Sequence, residues 1–125
     1  MKLEAFGTVV ELDHRLVENP EKVRRQLEEY LAGDRKDFQL HYRLPGGFTG
    51  AVLEKIDGIP YGETRSYGEI ASKLDTAAVA VGQAAGRNPL PLLVPCHRVV
   101  GKASLGGYGY GTGLKKKLLR LEGTL

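Results

Sequence analysis

Residues 88–100 read NPLPLLVPCHRVV and contain the only cysteine of the chain, Cys96. The prolines at positions 89, 91 and 95 stiffen this stretch and remove backbone donors, which holds a side chain in a fixed, non-regular position. Residues 101–113 follow with six of the 17 glycines. The pattern predicts that a rigid turn presents Cys96 beside an unusually open stretch of backbone.

Cys96 needs help to act as a nucleophile, because a free thiol has a pKa of about 8.5. His97 is adjacent, and Glu122 is the only carboxylate for a long distance downstream. Thiol, imidazole and carboxylate form a set of nucleophile, base and orienting group. The alternative is a buried structural thiol next to a surface histidine.

Length and composition restrict the class of protein. The chain has 125 residues, of which 42% are hydrophobic and 26% charged, as in one ordinary globular domain with a core. We expect a cytoplasmic location, because no apolar run approaches the ~20 residues of a membrane span and the chain start does not resemble a signal peptide. A single cysteine excludes an internal disulfide and a cysteine-based zinc site. We also expect no metal and no cofactor.

Charge is unevenly distributed along the chain. Residues 1–47 hold 8 basic and 9 acidic residues, whereas residues 48–125 hold 10 and 6. Between Asp75 and Glu122 there is no acidic residue. This stretch favours a surface that faces phosphates, or it is a chance run on a solvated face. Its seven basic residues are Arg87, Arg98, Lys102, Lys115, Lys116, Lys117 and Arg120.

The first 47 residues are predicted to form a small strand-and-helix cap. Residues 3–11 are apolar enough for a strand. Asn19 and Pro20 are typical of a helix start. Residues 38–44 alternate apolar and polar side chains, which predicts a half-buried strand. The Pro45–Gly47 break is the expected boundary with a second unit, residues 48–125.

The second unit is predicted to be mainly helical. Thr49 can cap a helix to about residue 57, and Ser66 with Glu69 forms a capping box. Thr76 is the expected N-cap of a helix over residues 77–85, built almost wholly of alanine, valine and glycine. The two short helices would form a helix-turn-helix unit, and the second could approach another surface closely or lie buried in the core. A last helix starts near Leu114, with the lysines at 115–117 on its outer face.

Together these segments resemble the O6-alkylguanine-DNA alkyltransferases, also called methylated-DNA–protein-cysteine methyltransferases. The resemblance rests first on Asn88-Pro-x-Pro followed by Pro-Cys-His-Arg-Val-Val, and it covers about residues 48–123. It implies an α+β fold with a winged-helix-like helix-turn-helix. The other matching positions are Phe48-Thr49, Ser66-Tyr67, Ala80-Val81-Gly82, Gly107-Tyr108, Lys115, Leu118-Leu119 and Glu122-Gly123.

The resemblance implies repair of double-stranded DNA after a base is flipped through the minor groove. Cys96 would accept the alkyl group from O6 of guanine, and also from O4 of thymine, once per molecule. His97 would take the thiol proton through a water, and Glu122 would hold the imidazole. Asn88 would fix the turn that carries the cysteine, and Tyr67 would donate to the departing guanine.

The resemblance also implies a set of binding residues in a monomer that needs only alkylated DNA as its partner. The carbonyls of Cys96 and Val99 would accept hydrogen bonds from the base, and the backbone of Gly109 would approach its O6. Tyr108 would form one wall of the pocket, and Lys115 would line it. The expected DNA-binding residues are Thr76, Ala77, Val79, Ala80, Gln83, Arg87 and Arg98.

The chain departs from the family pattern where an arginine usually fills the space left by the flipped base. Val79 occupies that position, so either Val79 inserts as an apolar wedge or Gln83 or Arg87 takes the role. Gly109 stands where a serine is usual, and Tyr110 adds a second aromatic residue. Two other functions compete with repair: a module that binds lesions without transfer, and a thiol hydrolase with the same Cys-His-Glu set.

Overall fold

The computed structural model describes residues 1–125 as an α+β fold of five α-helices and four short strands. Two single-turn 3₁₀ helices, His14–Leu16 and Cys96–Arg98, complete it. None of the helices has the length and apolar character needed to cross a membrane. The elements are β1 (Lys2–Ala5), β2 (Thr8–Glu11), α1 (Pro20–Leu31), α2 (Gly47–Asp57), β3 (Arg65–Ser66), α3 (Tyr67–Lys73), α4 (Ala78–Ala85), β4 (Val99–Val100) and α5 (Thr112–Leu121).

The N-terminal segment is a hairpin, so the prediction of a single strand over residues 3–11 is wrong. β1 and β2 pair antiparallel, with Ala5 opposite Thr8. Phe6 and Gly7 form the turn with φ values of 49° and 87°. Two successive positive φ values give the turn that best fits the twist of a hairpin, and glycine adopts one of them without strain.

Helix α1 starts as predicted. Asn19 is its N-cap and accepts from the Lys22 backbone N–H at 3.1 Å, with Pro20 in the first turn. The helix buries Leu27 and Tyr30 completely. It thereby faces the second half of the chain, where Tyr30 reaches the functional site described below.

The predicted strand over residues 38–44 is not formed. Tyr42 makes only an isolated bridge with Val17. The Arg43 N–H donates to Leu16 O at 2.8 Å, and the Glu18 N–H donates to His41 O at 3.2 Å. The burial alternation is present, but the neighbouring chain leaves a 3₁₀ helix just before this point and enters α1 just after it. The two segments are therefore adjacent for too short a distance to form a ladder.

Helices α3 and α4 form the predicted helix-turn-helix unit, and its capping box is confirmed. The Glu69 N–H donates to Ser66 Oγ at 3.0 Å, and the Ser66 N–H donates to Glu69 Oε1 at 3.1 Å. Thr76 is not the N-cap of α4, because α4 begins one residue later and Ala77 occupies that position without a side-chain bond. Likewise Thr49 lies inside α2, which begins at Gly47.

A short parallel pairing joins the helix-turn-helix to the cysteine segment. Arg65 pairs with Val99, and Ser66 with Val100, immediately before α3 and immediately after Cys96–Arg98. Helix α5 then packs against that 3₁₀ turn. Lys115 of α5 is fully buried, so the prediction that it lies on the outer face is wrong, whereas Lys116 and Lys117 are exposed as expected.

The hydrophobic core is continuous across both halves of the chain. It runs from Val10 in β2 and Leu27 in α1 through Ile56 in α2 to Val81 in α4 and Leu118 in α5. The N-terminal residues therefore share one interior with residues 48–125, and the division at residue 47 remains a prediction about organisation along the chain.

The cap at Ser66 and the predicted cap at Thr76 that is not formed give a matched stability test. Ser66→Ala removes a real cap, so the free energy of unfolding should fall by about 1 kcal/mol. Thr76→Ala removes no cap bond and should change it by less than about 0.5 kcal/mol. Urea unfolding of both variants measures the difference, and equal losses would contradict this assignment of the cap.

Candidate active site

Asn88 fixes the turn that presents Cys96. Its amide Nδ2 donates to Val94 O at 2.9 Å and to Cys96 Sγ at 3.2 Å, while its Oδ1 accepts from the Leu90 N–H at 2.9 Å. Leu92, in the middle of the turn, is buried and has φ of 74°. A leucine stays in that left-handed conformation only where its surroundings hold it there. The structure thus places Asn88 where the sequence predicts.

The Cys96 thiol is protonated at neutral pH in this environment. Its side chain is nearly buried, and burial raises its pKa above the ordinary value. The hydrogen bond from Asn88 and the positive charge of Lys115 act in the opposite direction but do not reverse the shift. Transfer of a group to this sulfur therefore requires a base to remove the proton.

The imidazole of His97 is fixed by Glu122. Its Nε2 lies 2.8 Å from Glu122 Oε2, and the ring is completely buried. Burial lowers the pKa of His97 despite the opposing effect of Glu122, so the ring is neutral. Because an ionised carboxylate only accepts, Nε2 carries the proton. Nδ1 is left as an acceptor, and it is buried without a protein partner.

Glu122 is the shared acceptor of the site. Burial raises its pKa, but hydrogen bonds from His97 and Arg98 outweigh burial and bring the pKa down to about 2. The stability that this carboxylate contributes is present above its ordinary pKa of 4.5 and is lost as pH falls through the folded value. It is therefore a permanent anion that orients His97 at any pH where the protein works.

Arg98 belongs to the interior, and the prediction that it contacts DNA is wrong. Its guanidinium forms a fork on Glu122, with Nε to Oε1 at 2.8 Å and Nη2 to Oε2 at 2.9 Å. Nη1 donates to Ile59 O at 2.6 Å. Only 6% of Arg98 is exposed. Planar, two-point pairing with a buried carboxylate directs the guanidinium into the interior, where a DNA phosphate does not reach it.

Tyr30 also reaches Glu122, which the sequence did not indicate. Its hydroxyl donates to Oε2 at 2.5 Å and lies 3.3 Å from His97 Nε2. In the sequence Tyr30 is one of several apolar positions on a single helix face. The only available signal was a tyrosine among aliphatic residues, because a fully buried hydroxyl needs a partner.

A cavity of about 490 Å³ opens onto Cys96. That volume is within the range of small-molecule sites, about 300–1,000 Å³. The cavity lies between α4 and the glycine-rich loop, residues 101–111, which joins β4 to α5. Its lining includes Tyr67, Val79, Asn88, Cys96, Tyr108, Gly109 and Tyr110. Of the predicted binding residues, the structure thus brings Val79, Tyr108 and Gly109 to the cavity beside the sulfur.

Lys115 and Val99 lie behind this wall and do not line the cavity. Lys115 Nζ donates to Val99 O at 2.6 Å and to Gly107 O at 3.0 Å, and it lies 5.8 Å from the centre of the Tyr67 ring. Burial lowers the pKa of Lys115 to about 8. The lysine therefore fixes the wall by linking β4 to the glycine-rich loop. The Val99 carbonyl keeps a second lone pair for another donor.

The glycine-rich loop packs closely on Tyr67. A Cβ on Gly106, whose φ is 74°, would lie 2.8 Å from the Tyr67 ring. Tyr110 closes the other end of the loop, where its hydroxyl bonds the backbone N–H and C=O of Glu11 in β2. Tyr108 Oη is buried without a protein partner. The pocket wall is thus held from two sides, and one of them is the N-terminal hairpin.

The start of α4 forms an exposed apolar edge beside the cavity. Val79 is 72% exposed and lines the cavity mouth. Ala77, Gln83 and Arg87 are also exposed, while Thr76 and Ala80 are half-buried. The cations of the acid-free stretch that remain exposed are Arg87, Lys102, Lys116, Lys117 and Arg120.

Comparison with known proteins gives one consistent answer. Residues 47–124 match the family model described as "6-O-methylguanine DNA methyltransferase, DNA binding domain". The chain is 53% identical over 106 residues to a methylated-DNA–protein-cysteine methyltransferase of Archaeoglobus fulgidus, a match that covers 79% of this chain and 72% of the relative. It is 46% identical over 120 residues to the constitutive enzyme of that name from Bacillus subtilis, with 92% and 73% covered.

A solved structure supports the same family assignment. The crystal structure of Mycobacterium tuberculosis OGT in complex with DNA superposes with a TM-score of 0.78 at 46% identity. The superposition covers 82% of this chain and 66% of that one.

The Asn88 bond to sulfur can be tested with the single cysteine. Asn88→Ala removes a donor that lowers the pKa of Cys96, so alkylation by iodoacetamide at a fixed, mildly alkaline pH should slow by roughly three- to tenfold. Asn19→Ala, which removes a helix cap far from Cys96, is the control and should react like the wild type. The account of the turn fails if both variants react at the wild-type rate.

Proposed function

The chain belongs to the O6-methylguanine-DNA methyltransferase family, and we propose that it repairs double-stranded DNA by moving the alkyl group from O6 of guanine to its own Cys96. One observation carries the proposal: Cys96 opens into a cavity, and the adjacent His97 offers an unpartnered Nδ1 while Glu122 holds its Nε2–H. This arrangement suits a single displacement at a small carbon centre.

The step balances without a cofactor. The thiol proton passes through a water to His97 Nδ1, and Cys96 Sγ attacks the alkyl carbon. The bond from that carbon to O6 breaks, and its electron pair leaves with the guanine, which is protonated by a donor such as the Tyr67 hydroxyl at the cavity. The product is a thioether, which is stable, so each molecule reacts once. When the alkyl group is on O4 of thymine, the thymine is the same kind of leaving group.

The base must leave the DNA stack to reach the buried sulfur. The apolar, exposed start of α4 is suited to the minor groove, with Val79 as the wedge that takes the place of the flipped base. The exposed cations from Arg87 to Arg120 supply phosphate contacts that do not depend on sequence. We place the protein in the cytoplasm, where thiols stay reduced.

The direct test is intact-mass measurement after mixing with a duplex that contains O6-methylguanine. We expect a gain of one methyl group per protein, mapped to Cys96, and no gain for Cys96→Ser. Absence of a gain in the wild type, or a gain that survives the substitution, contradicts the proposal. Tight binding without a mass change would indicate a lesion-binding module, and repeated turnover of an ester would indicate a hydrolase.

The wedge role of Val79 is tested by Val79→Ala. Loss of two methyl groups, at about 0.8 kcal/mol per CH₂, should slow transfer from duplex DNA by up to roughly fifteenfold. Transfer from the free base O6-benzylguanine, which needs no flipping, should be unchanged. Val9→Ala, at another exposed valine, is the control. If Val79→Ala leaves the duplex rate intact, Gln83 or Arg87 performs the role.

A further inference from the structure

Tyr30 is part of the reactive centre although it lies in the N-terminal segment, outside the matched residues 47–124. We propose that Tyr30 is a positioning residue for the transfer reaction: it holds Glu122 Oε2, shares the carboxylate charge, and so keeps His97 in the neutral form with Nδ1 free. This inference rests on the proposed function for its biological meaning. The geometry that carries it is independent of the substrate.

The contacts restrict what Tyr30 can do. Its hydroxyl donates to Glu122 Oε2 at 2.5 Å, and His97 Nε2 donates to the same oxygen at 2.8 Å. The hydroxyl oxygen can also accept, so the 3.3 Å contact between Tyr30 Oη and His97 Nε2 is a longer, weaker branch beside the bonds that both groups donate to Glu122. Burial, followed by the Glu122 charge, raises the pKa of Tyr30 far above its usual value. The hydroxyl therefore keeps its proton and acts chiefly through Glu122.

The position of Tyr30 is well fixed. It is completely buried, and its ring packs against Phe38 at 5.6 Å between centroids and edge-on to Tyr61 at 6.1 Å. The hydroxyl cannot swing away from the carboxylate without opening this aromatic cluster. Because this donor is already fixed, little conformational entropy is lost in positioning it during the reaction.

The hydrogen bonds to the Glu122 carboxylate explain how Tyr30 keeps the His97 ring neutral. A hydrogen bond to a carboxylate spreads its negative charge, which weakens the attraction of that carboxylate for a proton on the neighbouring imidazole. The Glu122 carboxylate receives such hydrogen bonds from the Arg98 fork and from Tyr30. Lys115 also disfavours a charged His97.

Among the remaining ionisable groups, Tyr108 packs edge-on against the His97 ring at 6.5 Å between centroids, without a bond to Glu122. Tyr61 lies beside the Tyr30 ring. Asp57 of α2 is near enough to Arg98 to feel its charge. None of these groups bonds Glu122 or His97, so Tyr30 is the uncharged donor whose removal changes the cluster most selectively. Removing it should raise the proton affinity of His97.

The experiment compares Tyr30→Phe with Tyr42→Phe. Tyr42 is a matched control, because its hydroxyl also donates to a carboxylate, Asp57 Oδ1 at 2.8 Å, but away from the site. The rate at which iodoacetamide alkylates Cys96, the only thiol, is measured across the pH range, and NMR titration of the His97 ring identifies the acid limb that belongs to the imidazole and not to the thiol. We expect Tyr30→Phe to shift the midpoint of the acid limb upward by about half a pH unit or more, roughly a threefold change in proton affinity. Tyr42→Phe should leave it in place.

A near-isosteric replacement gives a second test should Tyr30→Phe fold poorly. With 3-fluorotyrosine at position 30 the hydroxyl is a stronger donor, so the acid limb should move to lower pH. The proposal is overturned if the limb does not move in either variant, or if Tyr42→Phe moves it as much as Tyr30→Phe. Methyl transfer from the O6-methylguanine duplex is measured in parallel. If the wild type transfers no methyl group while the limb shifts as expected, the proposed function fails and the role of Tyr30 stands.

Discussion

The buried carboxylate of Glu122 is the group on which the rest of this site depends. It ends α5, and it accepts hydrogen bonds from His97 and Arg98 in the cysteine segment and from Tyr30 in α1. Removing one partner from a buried ion pair typically costs about 3–5 kcal/mol, because the other charge is left unpaired. One side chain therefore joins three distant segments and also decides which nitrogen of His97 is free.

A second buried group, Lys115, holds the pocket wall in place, as Glu122 holds His97 in place. Its ammonium joins the Val99 carbonyl to the glycine-rich loop at Gly107. Tyr110 then ties the far end of that loop to β2. The glycines leave backbone exposed beside Cys96, and these ties hold that backbone in place. An open cavity and a fixed wall are what binding of a flat, extruded base requires.

The sequence predicted local features that depend on neighbouring residues and missed those that depend on distant ones. The capping box at Ser66, the N-cap at Asn19 and the turn held by Asn88 each involve residues within eight positions, and all three are confirmed. Arg98 and Lys115 look like surface cations in sequence, because their partners lie 24 and 16 residues away. The strand expected over residues 38–44 failed for the same reason: alternation reports burial but not whether a partner strand exists.

We infer that Glu122 holds His97 as a neutral ring, with its proton on Nε2 and with Nδ1 free to accept a proton. Nitrogen NMR of the histidine-labelled protein at neutral pH measures this directly. The account predicts a protonated Nε2 and an unprotonated Nδ1 for the single fully buried histidine. A ring protonated on Nδ1, or on both nitrogens, would contradict it, since Nδ1 would then have no lone pair with which to accept a proton.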